Sequence, residues 1–178
     1  MNTERKACDG GFTLIEAIIV IAIFGIVAAV SLPAASKMLP NYRLKSAARQ
    51  LFSCMQKARS EAVKRNTNVG IQFNTVAFPA TGGGYTVFLD DGSGGGTAGN
   101  ATLDGTESIL FTIAMPRNCT LYHASFDGGT ATGYNYKGLP LSNLTGFIRM
   151  RNNKSRWYQM SLSNTGHPKI VISGDGTF

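Results

Sequence analysis

Histidine, cysteine and acidic side chains are all scarce in this chain. Its 178 residues include two histidines and three cysteines, and ten acidic residues stand against seventeen basic ones, a formal net charge of +7. Two histidines leave little material for a metal or proton-shuttle site. Three cysteines are too few for a disulfide-dense mini-protein. Charged residues make up only 15% of the chain while apolar ones reach 43%, which excludes a disordered polymer. The 21 glycines keep no three-residue period, which excludes collagen. Gly82-Gly83-Gly84 and Gly94-Gly95-Gly96 precede no helical pattern, so they read as turns and not as phosphate loops. There is no second long apolar run, so a polytopic membrane protein is excluded. The length suits one domain with its own core.

The one long apolar run is the dominant feature. From Phe12 to Leu32 the only charged residue is Glu16. At about 1.5 Å rise per residue the run spans roughly 31 Å, one hydrocarbon thickness. A secretory signal peptide has a shorter apolar core, followed by its cut site. Here Gly10 and Gly11 form a joint ahead of the run. A cut is therefore expected before the run, leaving it on the mature chain. A carboxylate in a membrane helix costs about 2.5–3.5 kcal/mol near the centre and less near an end. Glu16 thus either snorkels to the interface or pairs with a cation from another subunit.

The string Gly10-Gly11-Phe12-Thr13-Leu14-Ile15-Glu16 resembles the prepilin peptidase site of type IV pilins and type II secretion pseudopilins. The resemblance implies cleavage between Gly11 and Phe12, N-methylation of the new Phe12 amine, and a role for Glu16 in neutralising that amine on a neighbouring subunit during assembly. It also places Gly25 and Pro33 where such helices loosen in a filament; the alternative is that both are simply tolerated in a membrane helix. Counting basic residues around the run leaves the orientation ambiguous. The resemblance puts the leader in the cytoplasm and the rest outside the bacterial inner membrane.

Beyond Pro33 and Pro40, Leu44, Ala47, Ala48, Leu51, Met55, Ala58 and Ala62 recur at steps of three and four. Arg43, Gln50, Lys57 and Lys64 lie opposite them. This predicts an amphipathic helix that restarts with Asn41 as a cap and stops near Arg65-Asn66. Its eight basic residues from Lys37 to Arg65 face one acidic residue, Glu61. They read as a solvated face near lipid headgroups, or else as a nucleic-acid surface. The string Ala58-Arg59-Ser60-Glu61-Ala62-Val63-Lys64-Arg65-Asn66 is similar to the helix end of the GspH/FimT subgroup of minor pilins and pseudopilins.

After Asn66 short alternating runs separated by Gly, Asn and Pro predict strands over 69–73, 85–89, 109–114, 120–123, 146–151, 157–163 and 170–172. They should form antiparallel sheet packed on the helix. Asp90, Asp91, Asp104 and Glu107 surround a glycine-rich loop, which reads as a mobile hairpin loop, with a calcium loop as the alternative. His123 reads as a packed strand residue and His167 as an exposed turn residue. Neither has a nucleophile and an orienting acid in evident register, so no enzyme and no cofactor are expected. Cys8 would leave with the leader. Cys54 and Cys119 then either pair in a disulfide tying helix to sheet or remain as two buried thiols.

From Gly128 to Gly174 there is no acidic residue, while Arg149, Arg151, Lys154, Arg156 and Lys169 stand among Tyr134, Tyr136, Trp157 and Tyr158. Arg149 and Arg151 are two apart on one strand and share a face. A basic face with aromatics suits phosphate-backbone binding or docking to another subunit. FimT-like members that take up DNA carry a Gly-Arg-x-Arg turn near this place. Here the turn is Gly166-His167-Pro168-Lys169, with His167 and Lys169 standing where two arginines would.

The expected organisation is α+β and pilin-like: a leader over 1–11, a transmembrane and assembly helix over 12–32, its amphipathic continuation over 33–66, and a periplasmic β-rich domain over 67–178. The resemblance implies a structural subunit of a type II secretion pseudopilus. Its expected partners are prepilin peptidase, other pilins or pseudopilins, and inner-membrane lipid. The alternative is a FimT/FimU-like minor type IV pilin that works in pilus assembly or in DNA binding and uptake.

Overall fold

The computed structural model describes residues 12–127 and 129–178, apart from the side chains of residues 30 and 32–35. The expected leader, with Cys8 and Gly11, lies outside the described residues, as does the side chain of Pro33. The chain divides into two units, one ending at Met38 and the other running from Leu39 to Phe178.

The single long helix, α1, covers Leu14–Arg65. It is assigned without a break through Gly25, Pro33 and Pro40. This corrects the expectation of a fresh start at Asn41. A proline removes one amide donor and disturbs the carbonyl four residues back, and neither proline here interrupts the helical assignment. The helix stops where the sequence indicated. Asn66 adopts a left-handed φ of 53°, which asparagine tolerates better than most residues. The amide of Thr67 donates to the Ala62 carbonyl at 3.2 Å and that of Asn66 to the Val63 carbonyl at 3.3 Å. That pair of bonds is a Schellman cap.

The second unit holds eight strands: β1 (Val69–Asn74), β2 (Gly84–Leu89), β3 (Ile109–Ala114), β4 (Cys119–Phe126), β5 (Ala131–Tyr134), β6 (Gly146–Asn152), β7 (Trp157–Leu162) and β8 (Pro168–Ser173). They form two antiparallel four-stranded sheets, one ordered β3-β2-β1-β5 and the other β4-β6-β7-β8. The expected strands are present with ends moved by up to three residues. β5 is an addition: its sequence, Ala-Thr-Gly-Tyr, has almost no alternating apolar pattern, and it is held by pairing to β1.

One apolar cluster joins the helix to both sheets. Leu44, Ala47, Ala48, Leu51, Cys54, Met55, Ala58 and Ala62 are the buried stripe of α1. The alanines let the backbone approach the sheets closely, and Leu51 and Met55 fill the space between. Ile71, Val87, Leu121, Ile148, Met150 and Met160 meet them from the strands, all fully buried. The fold is thus α+β, with helix against antiparallel sheet, as expected.

Candidate functional site

At the start of α1, Thr13 is the cap residue. Its Oγ1 accepts a hydrogen bond from the Glu16 amide at 3.3 Å. Thr13-Leu14-Ile15-Glu16 has the spacing of a capping box, with Glu16 at the third helical position, where a carboxylate also suits the helix dipole. The sequence holds this capping signal beside the snorkelling and inter-subunit readings of Glu16. Every described side chain from Phe12 to Ala29 is exposed, and a side chain at Gly25 would meet nothing within 4 Å. Among the described residues no helix is both long and apolar enough to cross a membrane.

The six basic residues singled out near the carboxyl end do not form one surface. Along β6, Ile148, Met150 and Asn152 are buried while Phe147, Arg149 and Arg151 alternate with them onto the outer face. Arg149 and Arg151 therefore do share a face. The Arg149 guanidinium lies 4.5 Å from the Phe147 ring centroid and 5.2 Å from that of Phe178. Its Nε donates to Gln159 Oε1 on β7 at 2.8 Å. Arg151 lies 3.6 Å from the Phe78 centroid and 5.0 Å from that of Trp157. Its Nε is buried without a hydrogen-bond partner. Tyr122 sits in the field of both arginines: burial pushes its phenol up, and the two cations act the other way. Lys169, on β8, reaches the same sheet two strands away, opposite Ser161.

The other three point elsewhere. Asn152 Oδ1 accepts from the amides of Lys154 (2.9 Å) and Arg156 (3.1 Å), and its Nδ2 donates to Asn41 Oδ1 on α1 at 2.8 Å. This ties the β6–β7 turn to the helix. Lys154 stands exposed on that turn, and Arg156 lines a groove of about 360 Å³ with Asn41, Tyr42, Lys45, Tyr158 and Ile172. His167 leaves its turn toward the helix, with Nε2 3.5 Å from Arg59 Nη1. His167 and Lys169 thus belong to different surfaces. Sequence spacing placed the Arg149–Arg151 pair; it carried no sign of the rings of Phe78 and Phe178, which arrive from distant segments.

His123 corrects the expectation of a packed residue. The register of β4 against β6 shifts between Leu121 and His123. That bulge carries His123 to the exposed side, opposite Arg149, where its ring stacks on Phe147 at 5.5 Å. The glycine-rich segment is likewise not a loose hairpin. Asp90 is buried and accepts from the amides of Gly99 (2.6 Å) and Ala101 (2.7 Å). Glu107 accepts from Gly92 and Asp104, and Asp104 from Thr97 and Asn100. The carboxylates are satisfied by the loop's own amides, and burial still pushes Asp90 above the usual carboxylate range. Among the described residues no group of acidic, His and Cys side chains has the geometry to hold a metal ion.

Cys54 and Cys119 are both free and buried, so the disulfide alternative gives way to the two-thiol one. The reason is position along the helix. Cys119 pairs across β4 and β6 with Asn152, whose side chain bonds to Asn41 on α1, and Cys54 sits thirteen residues beyond Asn41, roughly 20 Å at helical rise. Burial pushes the thiols up, to about 12 for Cys54 and about 11 for Cys119. Such thiols are inert at neutral pH.

Residues 47–166 match the family described as "Type II transport protein GspH", and residues 6–32 match the "Prokaryotic N-terminal methylation motif". A curated relative, "Pilin-like protein PilA1" of Thermus thermophilus, is 40% identical over 81 residues, which is 45% of this chain and 47% of that protein. The match therefore spans about half the relative's length. Two crystal structures of the Pseudomonas aeruginosa PAO1 type IV minor pilin FimU are similar in fold at 18% identity. One, with a TM-score of 0.50, covers 74% of this chain and 90% of that one; the other, at 0.47, covers 72% and 92%.

Proposed function

The chain belongs to the GspH family of pilin-like minor pilins and pseudopilins, and from that premise we propose that it is a structural subunit of a type II secretion pseudopilus. The observation that carries this reading is the Gly11-Phe12 junction with Glu16 four residues on, inside the methylation motif and directly ahead of a helix that starts at Leu14. Prepilin peptidase removes residues 1–11, and the Phe12 amine is methylated. The apolar sequence 12–32 holds the subunit in the inner membrane with the second unit in the periplasm. Glu16 then neutralises the Phe12 amine of a neighbouring subunit, a pairing that an apolar environment strengthens. The subunit does no chemistry of its own; its work is assembly.

Mass spectrometry of the mature protein tests the first step. It should find methyl-Phe12 at the amino terminus, and an intact Met1 in cells that contain the peptidase would overturn the reading. Glu16→Ala should still be trimmed yet fail to enter filaments. A second reading, a minor type IV pilin, is favoured by the 40% identity to a relative whose name is pilin-like. Deletion separates the two. Lost exoprotein secretion with pili intact supports the pseudopilus, and lost pili with secretion intact supports the pilus.

A further inference from the structure

Two guanidinium groups held between aromatic rings on the outer face of β6 have no part in assembly through the helix. Arg149 is set between Phe147 and Phe178, and Arg151 between Phe78 and Trp157. Among the described residues the only ion pair is that of Arg65 with Glu61, so neither arginine is neutralised by a described carboxylate. Rings fix the planes of both groups in advance, so little side-chain freedom is lost when they bind. What the pair offers outward is two sets of Nη–H donors, about 6.7 Å apart along the strand.

We propose that Arg149 and Arg151 form a two-pronged clamp for an extended acidic segment of a different protein subunit, one that carries carboxylates at alternate positions. The proposal rests on the reading above only in that the chain works among other subunits. Carboxylates two residues apart on an extended chain match the spacing of the arginines, and each can take a bidentate pair of hydrogen bonds. A second copy of this chain is a poor occupant. Basic residues outnumber acidic ones two to one between Leu39 and Phe178. Of those seven acids, Glu61 is paired with Arg65, and Asp90, Asp91, Asp104, Glu107 and Asp175 accept bonds within their own loops; Asp127 is exposed, but no second carboxylate stands two residues from it. Nucleic acid fits less well than an acidic protein segment. Its backbone would need a continuous basic track. Here Arg156 and His167 line other grooves.

The test uses the full chain in detergent micelles and a fluorescent synthetic β-hairpin with glutamates at two alternate positions of one strand. A hairpin with glutamines there is the control probe, and an oligothymidylate is the competitor. Binding of the glutamate hairpin should weaken about tenfold or more in the R149Q/R151Q double variant. It should weaken several-fold in R149K/R151K, which keeps the charges and loses the forks, and by less than about twofold in K154Q/R156Q. Equal binding by R149K/R151K and the parent chain would overturn the clamp, as would equal binding of the two hairpins. Displacement by oligothymidylate at lower concentration than by unlabelled glutamate hairpin would overturn it in favour of nucleic acid. Far-ultraviolet circular dichroism and the thermal midpoint of each variant check that the sheet is intact, because Trp157 emission would respond to the loss of Arg151 itself. Processing at Phe12 is scored separately by mass, so a clamp that fails in a correctly trimmed chain leaves the assembly reading standing.

Discussion

At Gly70 the chain has no room for a methyl group. A Cβ there would overlap the ring of Phe88, which is itself fully buried on the neighbouring strand. Gly70 faces Phe88 across the β1–β2 pairing, so the absent side chain is what lets the ring lie over the strand. Gly70→Ala should therefore destabilise the second unit by about 1–3 kcal/mol, the usual cost of overpacking. A thermal melt reads it, and an unchanged midpoint would show that Phe88 can move aside. The sequence placed Gly70 inside the strand expected over 69–73, but nothing local showed that the ring of Phe88, eighteen residues on, lies over it. The Glu16 and Gly11-Phe12 signals, by contrast, were legible because they depend on order along the chain and on nothing distant. For Cys54 and Cys119 the sequence left a disulfide and two buried thiols both open, because whether they meet depends on the level at which β4 crosses the helix, which no local pattern encodes.

At the scale of elements, the carboxyl-terminal tail is a small device with its own titration. Ser173 and Thr177 donate side-chain hydrogen bonds to Asp175, as does the Thr177 amide, and they hold its carboxyl well below the ordinary value of 3.8. The turn brings Gly176 against the indole of Trp157 and Phe178 toward Arg149. A depressed folded value means that the carboxylate's contribution is complete above 3.8 and is lost as pH falls from 3.8 through the folded value. Emission from Trp157, the only tryptophan in the chain, should stay constant from pH 7 down to about 4 and shift only on further acidification. In Asp175→Ala the shift should already be present at pH 7. Identical spectra for the two proteins at pH 7 would show that the tail is held by something else. Strand positions were legible wherever apolar residues alternate, as along β6 and β7. β5 escaped because its pairing to β1 stands in for a pattern it lacks. His123 was misjudged because a bulge reverses faces without leaving a mark in the sequence.

For the second unit taken whole, the helix is what makes two sheets into one folded body. Leu51 is fully buried in the cluster that contains side chains of both sheets. Leu51→Ala should cost about 2–5 kcal/mol. Its effect should appear together in Trp157 emission, which watches β7, and in far-ultraviolet circular dichroism, which watches both sheets. Two separated transitions would mean that the sheets are independently stable. The eight buried side chains from Leu44 to Ala62 also lie in one line along the helix axis. In mechanical terms, traction applied along that axis loads them in shear, all at once, instead of peeling them away one at a time. A subunit hauled by its helix would bring its globular part along undeformed.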